Sequence, residues 1–309
     1  MDQLLTALRG AGEATRLRII ALLSKGELTV GELVQILEQS QPRVSRHLKL
    51  MGDSGLLDRF QEGTQVFYRL SSEGASGRLN STIVELLDDS DQAFSADISQ
   101  LASIRRERAD RAQAYFDSNA QDWDTLRSLH VSEEQVEAAL LEQQGGTKMG
   151  SLLDVGTGTG RMLQLFAPLA SQALGIDVSR AMLSIARSQL DDDAHSHCQV
   201  RLGDMYELGV ADNSQDLIVF HQVLHFAEEP AKALFEAARA LSDDGTMLIA
   251  DFAPHGQEFL RDLHAHRRLG FSEEEIASWG SEAGLSLNSV SHLDGGELRV
   301  TIWKFGKRV

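Results

Sequence analysis

The fold of the C-terminal part of this chain is decided by one stretch, Leu152-Leu153-Asp154-Val155-Gly156-Thr157-Gly158-Thr159-Gly160. An apolar strand runs into three glycines at alternate positions, and a helical pattern begins at Arg161. Glycine adopts backbone angles that other residues avoid and has no Cβ to keep a ligand away. The stretch therefore predicts a parallel strand, a tight turn and a ligand above the turn. A dinucleotide-binding turn needs its third glycine at position 161, which Arg161 occupies, so a mononucleotide-type ligand is favoured.

Two further apolar segments each end in an acid, at Asp177 and at Asp204. Together with the glycine turn, they resemble the cofactor motifs of class I S-adenosylmethionine-dependent methyltransferases. The resemblance implies that Asp177 bonds the ribose hydroxyls, Asp204 the adenine amine, and that Met182 stacks on the adenine. In the alternative interpretation, these are ordinary strand-end acids and a core methionine.

The resemblance implies S-adenosylmethionine or S-adenosylhomocysteine as cofactor. The cofactor-binding residues that it implies are Asp154, Gly156, Thr157, Gly158, Gly160, Asp177, Val178, Met182, Gly203, Asp204, Met205, His221, Tyr115 and Trp123.

Length and composition limit the class of protein. A chain of 309 residues with 42% hydrophobic residues suits about two globular domains. No apolar run of membrane-spanning length and no signal peptide is evident, and Cys198 is the single cysteine. We therefore expect a cytoplasmic protein without intrachain disulfides or contact with a membrane.

The net charge of −17 is unevenly distributed. Residues 1–90 hold 10 Lys and Arg against 12 Asp and Glu, a net charge of −2, and the remainder carries −15. The window 39–52 contains no acid but has Arg43, Arg46, His47 and Lys49. Its apolar residues recur at helical spacing, and a second helical pattern begins at Thr29, so the sequence predicts a helix-turn-helix.

Two short strand patterns follow, 54–60 and 65–70, and predict a β-hairpin wing. Residues 1–80 resemble the ArsR family of dimeric winged-helix repressors, which implies a homodimer on a pseudo-palindromic double-stranded DNA operator. No cysteine lies near the recognition helix, so soft-metal sensing there is disfavoured. A winged helix used only for protein contact is the alternative. The expected DNA-binding residues are Gln41, Arg43, Ser45, Arg46, His47, Lys49, Arg59 and Arg69.

The fold class is thus multidomain, with an N-terminal winged helix-turn-helix and a C-terminal α/β Rossmann-like methyltransferase sheet. We expect a DNA-binding and dimerisation domain over 1–90, a helical linker and lid over 91–145, and the cofactor-binding domain over 146–309. In the lid, Tyr115 and Trp123 are candidates to cover the methionine end of the cofactor, or else are packing aromatics. Segments 286–293 and 298–304 predict a final antiparallel hairpin.

Histidines are frequent in the C-terminal part, and His221, at the end of the predicted fourth strand, is the candidate general base. A structural role is the alternative for each histidine. Their spacing does not suggest a metal site, and no Asn/Asp-Pro-Pro-Tyr motif for nitrogen methylation follows this strand.

Three functions fit the two halves of the sequence. The first is a regulator, expected to be a repressor, whose methyltransferase-like domain senses S-adenosylmethionine or S-adenosylhomocysteine and controls methionine or methyl-cycle genes. The second is a regulator that also methylates a small molecule. The third is a scaffold whose methyltransferase fold no longer binds a ligand.

Overall fold

The computed structural model describes residues 2–62, 64–71, 74–87, 91–120, 132–295 and 298–308. The chain divides into two units, Met1–Asp110 and Arg111–Val309. This division places residues 91–110 with the N-terminal unit, whereas the sequence grouped 91–145 as linker and lid.

Short helices and a small antiparallel sheet form the first unit. Its elements are α1 (Asp2–Ala11), α2 (Ala14–Leu23), β1 (Leu28–Thr29), α3 (Val30–Leu37), α4 (Gln41–Asp53), β2 (Leu57–Glu62), β3 (Gln65–Leu70) and α5 (Gly74–Leu86). Helix α6 (Gln92–Asn119) begins in this unit and ends in the second. The sheet has the order β1-β3-β2, so β2 and β3 form the predicted wing. The first wing strand begins at Leu57, three residues later than predicted, and the sequence did not indicate β1.

The two central helices of this unit begin and end for local reasons. Thr29 caps α3, since its hydroxyl accepts from the amide of Glu32 while the Glu32 carboxylate accepts from the amide of Thr29. Glu38 adopts a left-handed φ of 54° and ends the helix. Ser40 precedes α4 and is of a residue type that favours the N-cap position, but its side chain makes no capping hydrogen bond. The result is a tight turn between two helices.

A buried ion pair joins the first helices to α6. Arg18 donates from Nε and Nη2 to the two carboxylate oxygens of Asp97, at 2.6 and 2.5 Å. Asp97 is 3% exposed, and both hydrogen bonds raise the pKa of Arg18. Such bidentate geometry is the arrangement in which an arginine offsets a buried carboxylate best.

A mixed sheet with helices around it forms the second unit. Its helices are α7 (Glu133–Gln144), α8 (Arg161–Phe166), α9 (Arg180–Gln189), α10 (Pro230–Ala240), α11 (Phe259–His264) and α12 (Glu273–Glu282). Its strands are β4 (Met149–Val155), β5 (Ala170–Asp177), β6 (Cys198–Leu202), β7 (Gln215–His221), β8 (Leu241–Phe252), β9 (Leu285–Asp294) and β10 (Arg299–Lys307).

The strand order of this sheet determines where a ligand can bind. The order is β6-β5-β4-β7-β8-β10-β9, and strands β4 to β8 pair in parallel. Strands β9 and β10 form the predicted antiparallel hairpin. The chain leaves β4 toward β5 on one side and later returns to β7 on the other, so the strand order reverses between β4 and β7. Ligands of open α/β sheets bind at the carboxyl edge beside such a point.

The two units have separate apolar interiors. Residues such as Leu33, Val44 and Met51 are fully buried in the first unit, whereas Ile218, Phe220 and Trp303 are fully buried in the second. Within the part of the chain that the structure describes, none of the helices combines the length and apolar character needed to cross a bilayer.

Candidate functional site

The glycine loop after β4 has the backbone that the sequence predicted. Gly156, Gly158 and Gly160 have φ angles of 72°, 53° and 89°, in the left-handed region that favours glycine. The amides of Gly156 and Thr157 both donate to the carbonyl of Ile176, at 2.8 and 3.0 Å. The loop is therefore held against β5, and α8 begins directly after it.

Asp177 lies at the end of β5 beside this loop. Its carboxylate accepts from the amides of Gly158 and Ser179, both at 2.8 Å. Burial raises the pKa of Asp177, the amide hydrogen bonds lower it, and the nearby carboxylate of Asp117 raises it. The hydroxyl of Ser179 donates to Asp117 at 2.7 Å, so the end of α6 also contributes to this region. The carboxylate predicted to bind the ribose is thus fixed in direction by backbone amides.

The next strand end holds the other predicted acid. Asp204 is exposed and accepts from the amide of Tyr206 at 3.0 Å. Val178 is 48% exposed, whereas Met182 is 2% exposed and presents almost no surface to a ligand. Stacking of Met182 on adenine stays a prediction, and Val178 offers the larger apolar surface.

The remaining predicted cofactor residues lie around the same edge. Asp154 is 1% exposed within β4, and the amide of Gly203 donates to the carbonyl of Asp177 at 3.1 Å. Met205 packs against the core behind this edge. Trp123 lies outside the described residues.

The end of β7 contains His221 in a strained connection. His221 is 8% exposed, and the next residue, Gln222, has a left-handed φ of 49°. The amide of Gln222 donates to the carbonyl of Ala250 at 2.7 Å, which fixes this turn against β8. Strained non-glycine residues are enriched at functional sites, so this turn makes the edge a candidate site.

Sequence reasoning favoured His221, but the structure gives another histidine a charged partner. His225 is 2% exposed, and its Nδ1 lies 2.7 Å from Oδ1 of Asp251, which is fully buried. The amide of His225 also faces Oδ2 of Asp251, at 3.3 Å. A signal was present in the sequence, because Asp251 is an acid near the end of the apolar segment 246–252.

Aromatic and imidazole rings gather around this pair. The ring of His225 lies 4.0 Å from that of His266 and 4.1 Å from that of Phe226, and Phe116 packs edge-on against Phe226. The hydroxyl of Tyr115 lies 2.7 Å from Nδ1 of His264. Tyr115 therefore lies in this part of the second unit, and its lid role over the cofactor stays a prediction.

In the first unit, helix α4 presents a polar face and buries an apolar one. Val44, Leu48 and Met51 are buried. The residues predicted to contact DNA that are exposed on this helix are Gln41, Arg43, Ser45, Arg46 and Lys49. His47 differs, because its side chain is 13% exposed and its Nδ1 lies 3.6 Å from a carboxylate oxygen of Glu13.

The two wing arginines also differ. Arg59 is exposed. Arg69 lies 3.6 Å from a carboxylate oxygen of Glu27 and 3.8 Å from one of Asp58, and its guanidinium lies over the ring of Phe60. Arg59 is therefore the wing cation with more freedom to meet a phosphate.

Family models match both units. Residues 13–59 match the bacterial regulatory protein, arsR family, and residues 153–249 match a methyltransferase domain. The chain joins an arsR-family helix-turn-helix domain to a class I methyltransferase domain. The first match covers helices α2 to α4, and the second covers the glycine loop, the two strand-end acids and the histidine at the end of β7.

Curated relatives match one domain or the other. Over 60 residues, the arsR-family domain is 53% identical to the arsenical resistance operon repressor of Escherichia coli, which is 19% of this chain and 51% of that protein. Over 148 residues, the chain is 28% identical to the uncharacterized methyltransferase YcgJ of Bacillus subtilis, which is 46% of this chain and 58% of that protein. The chain thus spans little more than half the length of these two relatives.

Solved structures support the fold of the methyltransferase domain. The crystal structure of YcgJ has a TM-score of 0.51 at 18% identity and covers 57% of this chain and all of YcgJ. Geranyl diphosphate C-methyltransferase from Streptomyces coelicolor, solved with S-adenosyl-L-homocysteine, has a TM-score of 0.51 at 11% identity. It covers 57% of this chain and 78% of that one. Identities this low show a shared fold and nothing finer.

Among the described residues, no group of three or more His, Cys, Asp or Glu side chains is placed to hold a metal ion. Cys198 has a pKa raised by burial, which disfavours the thiolate that a soft metal requires.

Proposed function

We propose that this protein is a cytoplasmic transcription repressor whose methyltransferase domain binds S-adenosylmethionine or S-adenosylhomocysteine as an effector. The proposal rests mainly on one observation. The same chain has an exposed basic helix, α4, and a glycine loop beside Asp177, whose carboxylate is oriented by backbone amides. We further propose that it controls genes of methionine or methyl-group metabolism, because such genes are the ones whose products set the level of this effector.

The DNA-binding part of the proposal rests on α4. Arg43, Arg46 and Lys49 are exposed on a helix whose window 39–52 has no acid. Cations on a helix of this kind bind phosphates and base edges of the major groove. The net charge of −17 does not oppose this, since most of the acid lies beyond residue 90. The operator is expected to be pseudo-palindromic, with the protein bound as a homodimer.

The ligand part rests on the carboxyl edge of the second sheet. Three glycines of the loop adopt positive φ and have no Cβ, Asp177 ends β5, and Asp204 follows two residues after the end of β6. This set fits an adenosyl group, which offers two ribose hydroxyls and an adenine amine as hydrogen-bond donors and a flat ring for the exposed Val178. The structure of a relative solved with S-adenosyl-L-homocysteine supports the same choice.

The coupling part rests on the continuity of α6. In the first unit this helix carries Asp97, the partner of Arg18. In the second unit it carries Asp117, which accepts from Ser179 beside Asp177, and Tyr115, which bonds to His264. A ligand that binds one conformation of the end of α6 more tightly than another shifts the equilibrium toward the conformation it prefers. The size of this shift is set by the difference between the two affinities.

The test is fluorescence anisotropy of labelled DNA from the upstream region of the gene, at fixed salt, with each adenosyl ligand titrated separately. We expect one ligand to shift the DNA-binding midpoint several-fold and Asp177→Ala to abolish that shift while DNA is still bound. The matched control is Asp243→Ala, an exposed acid near the start of β8. DNA binding that responds to neither ligand would refute the effector role, and an unchanged response of Asp177→Ala would refute the assigned site.

The second candidate is a regulator that also methylates a small molecule. Methyl transfer from a sulfonium donor needs chiefly alignment, with at most one base. The pairing of His225 with Asp251 favours this candidate, because it supplies an oriented base at the ligand edge.

A further inference from the structure

The contacts of Asp251 indicate which ring nitrogen of His225 carries a proton toward it. Oδ1 of Asp251 lies 2.7 Å from Nδ1 of His225 and accepts from the amide of Phe252 at 2.8 Å, while Oδ2 faces the amide of His225. A carboxylate surrounded by these donors stays an acceptor, so Nδ1 of His225 must carry its proton toward Asp251. The lone pair of a neutral His225 then lies on Nε2, the nitrogen available to take a proton.

His225 lies beside the glycine loop. It belongs to a helical turn, Leu224–Phe226, that follows the strained Gln222 after β7. Val223, two residues before His225, packs against Gly156 so closely that a Cβ on Gly156 would lie 2.2 Å from its Cγ2. The turn that carries the base and the loop that forms the ligand cradle are therefore in direct contact.

The surroundings of His225 indicate the kind of molecule that it would meet. Its ring neighbours are Phe226, Phe252 and His266, with centroids 4.1, 5.2 and 4.0 Å away. These rings leave His225 only 2% exposed, so an acceptor that reaches its Nε2 would have to pack against them, which favours a flat, largely apolar molecule.

The two arginines whose amides bond to the turn of His225 each have a carboxylate partner. Arg267 lies 3.1 Å from Glu228, and Arg268 lies 2.8 Å from Glu275. The backbone amides of both arginines donate to the carbonyl of His225, which fixes the turn. Since each guanidinium has a carboxylate partner, a polyanionic ligand is disfavoured relative to a neutral one.

From these observations we propose that the methyltransferase domain methylates a small phenol, with His225 as the proton acceptor and Asp251 as its positioning residue. This inference rests on the adenosyl site of the proposed function and names the acceptor class for that site. When bound, S-adenosylmethionine supplies the methyl group, and its sulfur keeps the electron pair of the broken carbon–sulfur bond. The phenol oxygen forms the new bond to the methyl carbon, and its proton passes to Nε2 of His225.

A second histidine–aspartate pair in the same domain provides a matched control. His195 and Asp192 have the same 2.7 Å separation between Nδ1 and Oδ1, but they lie on the surface before β6, at the opposite edge of the sheet. His195→Gln and Asp192→Asn therefore remove the same chemistry away from the proposed acceptor.

The first experiment is long-range ¹H–¹⁵N NMR of the histidine rings in the full-length protein. We expect His225 to carry its proton on Nδ1, and Asp251→Asn to disturb that tautomer while Asp192→Asn leaves it unchanged. A proton on Nε2 in the unaltered protein would overturn the assignment of His225 as the base.

The second experiment measures transfer of labelled methyl from S-adenosylmethionine to a panel of simple phenols and naphthols. Removal of a general base lowers such rates by about 100-fold or more, which we expect for His225→Gln, with a smaller loss for Asp251→Asn. The two control variants should keep the full rate. Binding of S-adenosylhomocysteine, followed by calorimetry, should be unchanged in all four variants.

The outcomes separate this inference from the proposed function. If S-adenosylhomocysteine binds but no phenol is methylated, or if His225→Gln retains the full rate, the inference is wrong and the effector role stands. If phenols are methylated through His225 but DNA binding ignores both adenosyl ligands, the effector role is wrong instead. Should His225→Gln fail to fold, Asp251→Asn, which preserves side-chain shape, gives the same comparison.

Discussion

Val223 packs directly onto Gly156, so that a Cβ built on this glycine would lie 2.2 Å from Cγ2 of Val223. The contact joins the loop after β4 to the turn after β7, on either side of the point where the strand order reverses. Two separate features require a glycine at this position. One is its left-handed φ of 72°, and the other is that Val223 occupies the space a side chain would need.

Gly156→Ala tests this contact. We expect about 1–2 kcal/mol of destabilisation from the left-handed backbone and about 1–3 kcal/mol more from overpacking. The control is Gly145→Ala, at a φ of 86° with nothing within 4 Å of the added Cβ, which should show only the backbone cost. Urea unfolding gives both values. Adding Val223→Ala should recover part of the loss in Gly156→Ala, and equal losses for the two glycine variants would contradict a steric role for Val223.

The buried pair of Arg18 and Asp97 gives a second prediction. Arg18→Ala leaves a carboxylate that is 3% exposed without its partner, and such a change costs about 3–5 kcal/mol. The comparison is Arg299→Ala, which breaks an exposed pair with Asp294 of 2.7 Å and should cost less than about 1 kcal/mol. Denaturant unfolding measures both. If the double variant Arg18→Ala with Asp97→Ala were no more stable than Arg18→Ala alone, the stranded carboxylate would not be the cause.

The exposed cations of α4 give a third prediction. Arg46→Ala and Lys49→Ala should each weaken DNA binding and reduce the slope of log affinity against log salt by about 1. The control is Lys232→Ala, a cation of the second unit with 61% side-chain exposure, which should leave the slope unchanged. Anisotropy titrations at several salt concentrations provide the slopes. Equal slopes for all variants would show that α4 does not touch phosphate.

The hydrogen bond between Tyr115 and His264 gives a prediction on pH. Burial lowers the pKa of His264 below its usual value of 6.5 and raises that of Tyr115. The unfolded chain then binds a proton at His264 more readily than the folded one, so this residue makes the protein less stable as the pH falls through 6.5. The histidine ring resonances, followed by NMR from pH 8 to pH 5, should report the lowered value.

Tyr115→Phe isolates the contribution of the hydroxyl. With Nδ1 as acceptor, the Tyr115 hydroxyl stabilises neutral His264, so its removal should raise the pKa of His264 toward the usual value. The loss of stability on acidification should shrink accordingly. A pKa of His264 that falls further in Tyr115→Phe would mean that Nδ1 carries the proton and donates to the hydroxyl oxygen, and an unchanged pKa would mean that the hydroxyl has no effect on this titration.

Much of the fold and part of the site could be predicted from the sequence. The glycine loop, the acids at or just after the ends of β5 and β6, and the helix start at Thr29 each depend on residues close together in the chain, where glycine, strand-end and capping rules apply directly. Boundaries were less predictable: β2 begins at Leu57 rather than at residue 54, because the turn after α4 is longer than the apolar pattern suggests.

The sequence could not rank the candidate site residues. His221 and His225 are both near the end of β7, and only the structure shows that the buried carboxylate of Asp251 lies beside His225. Met182 has the spacing of an adenine contact, yet it is 2% exposed because α9 turns it into the core, while Val178 keeps a surface beside the loop. Exposure and partners depend on how helices pack on the sheet, which periodicity does not fix.

The sequence by itself determined that the chain joins a basic helix-turn-helix to a parallel sheet with a glycine turn, because these features arise from local backbone preference and spacing. Only the tertiary structure decided which distant residues meet. Asp251 reaches His225 because β7 and β8 are neighbours in register, and Arg18 reaches Asp97 because α6 packs against α2 across 79 residues of chain. The partner of a buried charge is set by topology, which no single stretch of sequence encodes.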